Sequence, residues 1–285
     1  MNPQLDFMLQ QALQAFQSNH FDRADSILKK ILQADSKNLP ALHILGLIKA
    51  SQGKFKEAAE LLTKAARINP NEASIQYNLA KALADSGANE ESISHHKKAT
   101  ELAPGNLDAW LNYGKTLSQL ARHEEALHTF ESAIAINPHF AEAWSNKANV
   151  LNTLKRYPEA ISHYEKALDL NPDTDWGLGS IAHLKMKICA WQNFSENIEQ
   201  LQKKVCSYQK VSHPFNLIAL VDDCSLHKQS AEIFAQELYP SDQTLGAIPK
   251  IPKHEKIRIG YFSADFRHHP VSMLTAELFE LHDKT

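Results

Sequence analysis

Small and large apolar residues alternate with polar residues in a pattern that repeats every 34 positions along the chain. The frames 5–38, 39–72, 73–106, 107–140 and 141–174 carry the same class of residue at the same place. The eighth place is always small, with Ala12, Gly46, Ala80, Gly114 and Ala148. The twentieth place is also small, with Ala24, Ala58, Ser92, Ala126 and Ala160. Because helices approach closely only where side chains are small, each frame predicts a pair of packed helices.

Large side chains fill the complementary places of each frame. The fourth place holds Met8, Leu42, Gln76, Trp110 and Trp144, and the twenty-fourth holds Leu28, Leu62, His96, Phe130 and Tyr164. We expect Trp110, Trp144, Phe130 and Tyr164 to pack in the core. Prolines recur 34 residues apart at Pro70, Pro104, Pro138 and Pro172, where each would end the second helix of a pair. Gly53 and Gly87 mark the turn between paired helices, where a left-handed backbone is often required.

This pattern resembles the tetratricopeptide repeat, whose period is 34 residues. The resemblance covers residues 5–174 as five repeats, the first of them degenerate because Ser36 replaces the proline. It implies an all-α, right-handed superhelix of helix pairs, with the first helices lining a concave groove. It also implies that protein or peptide partners bind in that groove.

A row of asparagines occupies the sixth place of three consecutive repeats, as Asn78, Asn112 and Asn146. The first two repeats have Gln10 and Ile44 there. An amide side chain offers both donors and an acceptor, so this row could hold a peptide by its backbone without reading its side chains. Asparagine at this place could equally serve helix packing. Both interpretations stay open from the sequence.

The period of prolines stops after Pro172, and three regions of different sequence pattern follow. Residues 175–239 keep apolar residues at helical spacing in the segments 178–190, 196–209, 214–221 and 225–239, which predicts a helical connector. Residues 240–255 are rich in proline and predict a linker. Residues 256–285 predict one strand, a polar loop and one helix, the opening of an α/β domain. Because a lone strand and helix have no sheet to pack on, we expect the chain to be a fragment of a longer protein.

The stretch KIRIGYFSADFRHHPVS, residues 256–272, resembles the opening of the catalytic region of protein O-linked N-acetylglucosamine transferases and their SPINDLY-like relatives. Residues 176–191, 214–221 and 231–240 resemble the connector of bacterial members. The resemblance implies that 256–285 begins a truncated glycosyltransferase domain, which in full transfers a sugar from a nucleotide sugar to Ser or Thr of acceptors presented by the repeats. It implies UDP-N-acetylglucosamine as donor, with GDP-fucose as the alternative, and neither a cofactor nor a metal. The donor-binding residues would lie beyond Thr285, so the chain by itself is expected to be inactive.

His269 matches the active-site histidine of that family. It precedes a predicted helix, whose positive end disfavours the protonated imidazole, and a neutral imidazole could accept a proton near the acceptor hydroxyl. The alternative is a loop histidine that merely caps the helix. Met273 stands where some members carry a second histidine, so the sugar is not identified by these residues.

Composition narrows the classes of partner. A net charge of −3 and a pI near 6.6 give no basic field, which argues against nucleic acid. No apolar run approaches the ~18 residues that span a bilayer, and no signal peptide begins the chain, so no membrane association is expected. Three scattered cysteines indicate neither a disulfide framework nor a metal site and favour a cytoplasmic protein. Two functions stay open: the acceptor-binding part of a glycosyltransferase, or a tetratricopeptide adaptor without chemistry.

Overall fold

The structure, a computed structural model, describes residues 3–239. Within that range it contains fourteen α-helices and no strand. The predicted linker 240–255, the predicted strand, loop and helix of 256–285, and the proposed catalytic His269 lie outside the described residues. Those features therefore stay predictions. None of the described helices is both long enough and apolar enough to cross a membrane.

Ten helices form five consecutive pairs. They are α1 (Pro3–Gln17) and α2 (Phe21–Ala34), α3 (Leu39–Ser51) and α4 (Phe55–Ile68), α5 (Ala73–Asp85) and α6 (Asn89–Leu102), α7 (Leu107–Gln119) and α8 (His123–Ile136), and α9 (Ala141–Thr153) and α10 (Tyr157–Leu170). Each first helix packs on its own second helix, and each second helix packs on the first helix of the next pair. The predicted all-α stack of helix pairs is confirmed.

The small eighth place and the large twenty-fourth place meet inside each pair. A Cβ atom on Gly114 would lie 2.5 Å from Cε1 of Phe130, and one on Gly46 would lie 2.8 Å from Cγ of Leu62. Phe130 and Tyr164 are buried, as the pattern predicts. The close approach of the helices therefore depends on pairing one small and one large residue.

Trp110 and Trp144 correct the expectation that all the large aromatic residues pack fully in the core, because both are only half-buried. Their indole Nε1–H groups donate hydrogen bonds to the carbonyl oxygens of Pro104, at 2.8 Å, and Pro138, at 2.9 Å. Gln76, at the same place in the third repeat, donates to Pro70 at 2.8 Å. In the last three repeats the fourth place thus ties the first helix to the turn before it, and a side chain with a polar end is needed for this bond.

The turn inside every pair contains one residue in the left-handed region. These residues are Asn19, Gly53, Gly87, Ala121 and Lys155, with φ between 57° and 87° and a spacing of 34 residues. Glycine adopts this conformation without steric cost, whereas alanine and lysine do not. The turn geometry is therefore kept even where the side chain opposes it.

Successive first helices contact one another: α1 contacts α3, α3 contacts α5, α5 contacts α7, and α7 contacts α9. The second helices make no contacts of comparable extent with one another within residues 3–239. In a curved stack the elements that lie closer together are on the inner side. The first helices therefore line the inner face of the stack.

Four more helices follow the pairs: α11 (Gly177–Lys187), α12 (Phe194–Cys206), α13 (Pro214–Leu220) and α14 (Cys224–Leu238). The helix α11 packs on α10 and so continues the stack. Cys189 is left-handed and lies 34 residues after Lys155, but a second left-handed residue, Asn193, delays the start of α12. A separate core that includes Leu201 and Leu217 holds this region together. The repeat geometry therefore persists through α11 and ends at the turn that follows.

Candidate functional site

Three depressions open between neighbouring helices on the inner face, and each contains one residue of the asparagine row. Asn78 lines a depression of about 260 Å³ between α3 and α5. Asn112 lines one of about 120 Å³ between α5 and α7. Asn146 lines the largest, about 380 Å³, between α7, α9 and the turn that leads into α11. The structure thus places the three predicted binding residues along one continuous face.

Two of the three asparagine amides form hydrogen bonds with the preceding repeat. Nδ2 of Asn78 lies 3.0 Å from Nε2 of His43, and Nδ2 of Asn112 donates to the hydroxyl of Tyr77 at 3.1 Å. Both partners stand 35 residues before the asparagine. These bonds join consecutive first helices, so Asn78 and Asn112 serve inter-repeat packing as well as lining the groove.

Asn146 has no such partner, because the corresponding earlier residue is Leu111. Its Nδ2 donates instead to the carbonyl oxygen of Glu142 in the same helix, at 2.7 Å. The Oδ1 atoms of Asn78, Asn112 and Asn146 have no hydrogen-bond partner among the described residues. The row therefore offers three amide oxygens of the same kind, each of which can accept a bond from a backbone N–H.

The groups that hold the row stay neutral near pH 7. Burial lowers the pKa of His43, which keeps its imidazole uncharged and leaves Nε2 free to accept from Asn78. Burial also raises the pKa of Tyr77, so its hydroxyl keeps its proton. Asn149, one turn after Asn146, has its Oδ1 held by the hydroxyl of Tyr164, and burial raises the pKa of Tyr164 to about 12. The two donors of the Asn149 amide are thereby directed away from Tyr164.

Lysines alternate with the asparagines along the face. Lys81 and Lys115 stand three residues after Asn78 and Asn112, and they too are 34 residues apart. Lys81 pairs with Asp85 in its own helix at 3.0 Å. Lys115 lines both of the last two depressions and has no ion pair within residues 3–239. The middle of the face therefore carries one uncompensated ammonium group.

Anionic groups gather at the far end of the face. Glu142, Asp173 and Asp175 all line the largest depression. The indole of Trp176 lines it as well, and the ring is stacked on His213 with 4.8 Å between centroids. The far end of the inner face consequently differs in charge from its middle, which carries Lys115.

His96 is a buried polar residue at a core position beside the groove. Its side chain is fully buried, its Nε2 lies 3.2 Å from the hydroxyl of Thr116, and that hydroxyl donates to the carbonyl oxygen of Asn112. Nε2 is therefore the donor to Thr116, and Nδ1 has no partner among the described residues. Burial lowers the pKa of His96 to about 4. The interpretation of His96 as a packing residue agrees with this position.

Several residues of the face were not found from the sequence. The spacing of 34 between Lys81 and Lys115 was a usable signal, since it equals the asparagine spacing. The partners His43 and Tyr77 share no residue type, so no repeat pattern marks them. His269 lies outside the described residues, and among those residues no group of His, Cys, Asp and Glu side chains could hold a metal ion.

Family models match the repeat region. Two models described as tetratricopeptide repeat match residues 83–150 and 141–174, and one described as TPR repeat matches residues 46–87. No curated protein matches the chain.

Solved structures of other repeat proteins share the fold. The MamA protein is 24% identical with a TM-score of 0.58, over 61% of this chain and 94% of its own. YrrB, described as a TPR protein with an unusual peptide-binding site, is 23% identical with a TM-score of 0.56, over 59% of this chain and 86% of its own. The pilF protein of Pseudomonas aeruginosa is 20% identical with a TM-score of 0.57, over 70% of this chain and 90% of its own. At these identities the likeness establishes the fold alone.

Proposed function

Residues 46–174 are built of tetratricopeptide repeats, and from this premise we propose that their inner face binds an extended segment of a partner protein by its backbone. The observation that carries the proposal is the row of three depressions, each containing one asparagine whose Oδ1 atom has no partner among the described residues. YrrB, which shares the fold and is described as having an unusual peptide-binding site, supports the same class of ligand.

The geometry favours recognition of the backbone over recognition of particular side chains. Identical groups recur once per repeat, and a peptide backbone is the part of a ligand that also presents identical groups at regular intervals. The amide nitrogens of Asn78 and Asn112 are already bonded within the stack, which fixes their oxygens in place before a ligand arrives. Such preorganisation reduces the conformational entropy lost on binding. We therefore expect broad rather than narrow sequence specificity.

The replacement Asn146→Ala tests this proposal with little change in the fold, because the amide of Asn146 bonds only to its own helix. A random peptide library displayed on phage would be selected against the chain, and several unrelated enriched peptides would be titrated by fluorescence anisotropy. One lost hydrogen bond should weaken each peptide by about two- to tenfold. Asn71→Ala, in an exposed turn, is the matched control and should have no effect.

The triple replacement of Asn78, Asn112 and Asn146 by Ala should weaken binding by roughly tenfold to a thousandfold. It should also lower the melting temperature, because Asn78 and Asn112 join consecutive repeats. Unchanged affinity in a folded Asn146→Ala protein would show that the row serves packing only. Failure to enrich any peptide would contradict the proposal as a whole.

We further propose that the repeats present acceptors to a nucleotide-sugar-dependent glycosyltransferase domain that begins at residue 256. The support is the sequence resemblance of residues 256–272, which lie outside the described residues. The proposed donor is UDP-N-acetylglucosamine, with GDP-fucose as the alternative, and His269 is the proposed proton acceptor. The competing proposal is an adaptor that binds partners without chemistry, and the matches over residues 46–174 suit it equally well.

Incubation of the full gene product with each radiolabelled nucleotide sugar and a peptide mixture separates these two proposals. A transferase should label peptides, and His269→Ala should abolish the labelling while leaving peptide binding to the repeats unchanged. The chain of residues 1–285 should label none. Absence of labelling by the full gene product with both donors would favour the adaptor, and labelling by residues 1–285 would contradict the inactivity expected of those residues alone.

A further inference from the structure

The largest of the three inner-face depressions lies where the repeats meet the connector, and three parts of the chain form its walls. Lys115 of α7 borders one side, and Glu142, Ser145 and Asn146 of α9 form another. The turn that leads into α11 supplies Asp173, Asp175 and Trp176. Its volume of about 380 Å³ far exceeds the ~10–15 Å³ that one bound water requires. The space can therefore receive a side chain.

The charge of this depression is not balanced within the described structure. Glu142, Asp173 and Asp175 have no ion-pair partner in residues 3–239, and Lys115 is the one ammonium group that lines the same space.

The nearby lysines are already engaged. Lys147 pairs with Glu131 at 3.0 Å, Lys185 with Glu165 at 2.7 Å, and Lys210 with Glu237 at 2.7 Å. Lys204 donates to the carbonyl oxygen of Pro172 at 3.5 Å, and Asp175 attracts Lys210 at longer range, which helps to raise the pKa of that lysine. A cation from outside would thus meet three carboxylates, with Lys115 as the ammonium group that lines the same space.

The largely buried side chain of Ser145 provides a second, independent indication of a ligand. Ser145 is only 9% exposed, lines the depression, and forms no hydrogen bond within residues 3–239. Buried polar side chains are normally bonded, so this hydroxyl is suited to a bond with a group that enters the depression. Beside it, Asn149 lines the same space with its Oδ1 held by Tyr164, which leaves the amide donors available.

The arrangement suits an extended organic cation better than a metal ion. The carboxylates of the described residues do not converge as metal ligands do. Trp176 adds an aromatic wall, braced by His213 on one side and by the edge of Phe234, with 5.7 Å between the ring centroids of Trp176 and Phe234. Aromatic rings attract ammonium and guanidinium groups. Carboxylates spaced around an indole therefore match a long side chain with a charged end.

We infer that this depression is a subsite for a lysine or arginine side chain of the bound segment. The inference rests on the proposed function, because it takes the backbone to lie along the asparagine row. A side chain that projects from the backbone at Asn146 would enter the space between Glu142 and the turn with Asp173 and Asp175. The subsite adds one charge preference, at a single position, to an otherwise permissive groove.

The test combines library selection with a double-mutant cycle. The random phage library would be selected in parallel against the unchanged chain, the Asp173→Asn/Asp175→Asn variant, and the Glu60→Gln/Glu91→Gln variant. The Glu60→Gln/Glu91→Gln variant is the control, because it changes the net charge by the same amount as the aspartate variant but at exposed positions on second helices. Peptides selected by the unchanged chain should share a Lys or Arg at one position. Replacing that residue by Gln should weaken binding about three- to tenfold.

The two variants should then differ in the peptides that they select and in how they bind the Gln peptide. With Asp173→Asn/Asp175→Asn, the enrichment of Lys and Arg should disappear and the Gln peptide should bind as well as its parent. With Glu60→Gln/Glu91→Gln, both effects should remain. Enriched peptides without a shared basic residue, or an equal loss in all three proteins, would overturn the subsite while leaving the groove proposal intact. If no peptide is enriched, both proposals fail.

Discussion

Gly114 in the fourth repeat and Gly179 in the connector both lie where a helix meets a close neighbour, but the neighbours differ. A Cβ on Gly114 would approach the ring of Phe130, which is a side chain. A Cβ on Gly179 would lie 2.8 Å from the backbone Cα of Ser212 and 2.2 Å from its Oγ. The N–H of Gly179 also donates to the carbonyl oxygen of Val211 at 2.8 Å. At Gly179 the connector thus meets a backbone neighbour, whereas at Gly114 the repeat meets only a side chain.

The difference explains which region tolerates variation. In the repeats the facing residues vary in their combinations, since alanine faces Leu28 in the first repeat and Tyr164 in the fifth. A backbone neighbour cannot be exchanged for a smaller one, so Gly179 has no compensating partner. Periodic variation of side-chain size is also visible in a sequence, while a single backbone contact is not.

The largest expected effect is that of Gly179→Ala. The new methyl group would force apart α11 and the segment that contains Val211 and Ser212, at a cost of about 3 kcal/mol. Hydrogen exchange of α11 and α13 should accelerate, and chemical denaturation should show a lower free energy of unfolding. Gly177→Ala is the matched control, because its Cβ would meet only side chains, Leu168 at 3.3 Å and Thr174 at 3.7 Å, and should cost much less. Equal stability of the two variants would contradict the distinction between backbone and side-chain neighbours.

The second prediction concerns His96, a polar member of the repeat core. Its folded pKa of about 4 lies below the ~6.5 of an unfolded histidine, so the unfolded chain binds the proton first as the pH falls. The free energy of unfolding should therefore fall between pH ~6.5 and ~4 and be unaffected above pH ~7. Between pH 7 and pH 5 the loss from His96 is about 2 kcal/mol.

Comparison of His96→Leu with the unchanged protein isolates this contribution, since the other histidines remain in both. Leucine occupies the same place in the first repeat, where it also faces an alanine. Denaturation would give the free energy of unfolding at pH 7 and at pH 5. The fall in this free energy between the two pH values should be smaller for the variant, by about 2 kcal/mol. An identical pH dependence in the two proteins would show that burial does not lower the pKa of His96 in the folded state.

The third prediction tests exchange between paired residues in the repeats. Gly114→Ala should cost roughly 1–2 kcal/mol, because the new Cβ would overlap the ring of Phe130. The double variant Gly114→Ala/Phe130→Leu should be more stable than the sum of the single losses predicts, since Ala12 and Leu28 already form this combination. Thermal unfolding of all four proteins of the cycle would measure the coupling. Additive losses would show that the pair does not act as a unit.

The smallest expected effect is a gain in stability at the turn of the fourth repeat. Ala121 has φ of 58°, which costs a residue with a Cβ more than it costs glycine. Ala121→Gly should therefore stabilise the protein by about 0.5–1 kcal/mol. Gly87→Ala makes the opposite change at the same place in the third repeat, where no atom would touch the added Cβ. It should destabilise by a similar amount, and a loss of stability in both variants would contradict the argument.

The repeats could be predicted because their determinants are local and recur. The prolines, the small eighth place and the large twenty-fourth place each fix a packing contact within one helix pair, and five copies make the pattern recognisable. The left-handed residues of the turns were harder to predict from the sequence. Gly53 and Gly87 indicated a left-handed residue, but Ala121, Lys155 and Cys189 adopt the same conformation without any residue preference for it. There the helix packing on both sides fixes the backbone and overrides the local preference.

The sequence by itself determined the helix pairs, their period and the positions of the asparagine row, because these depend on residue size and spacing along one helix. Only the tertiary structure decided what the asparagines contact and what surrounds them. Whether Asn78 meets His43 across 35 residues depends on how two helices are rotated against each other. The depression that joins Glu142 to Asp173 and Asp175 depends on where α11 leaves the stack. The two asparagine contacts share one spacing but join unlike residues, and the depression arises once, so neither has a pattern of residue types that a sequence could reveal.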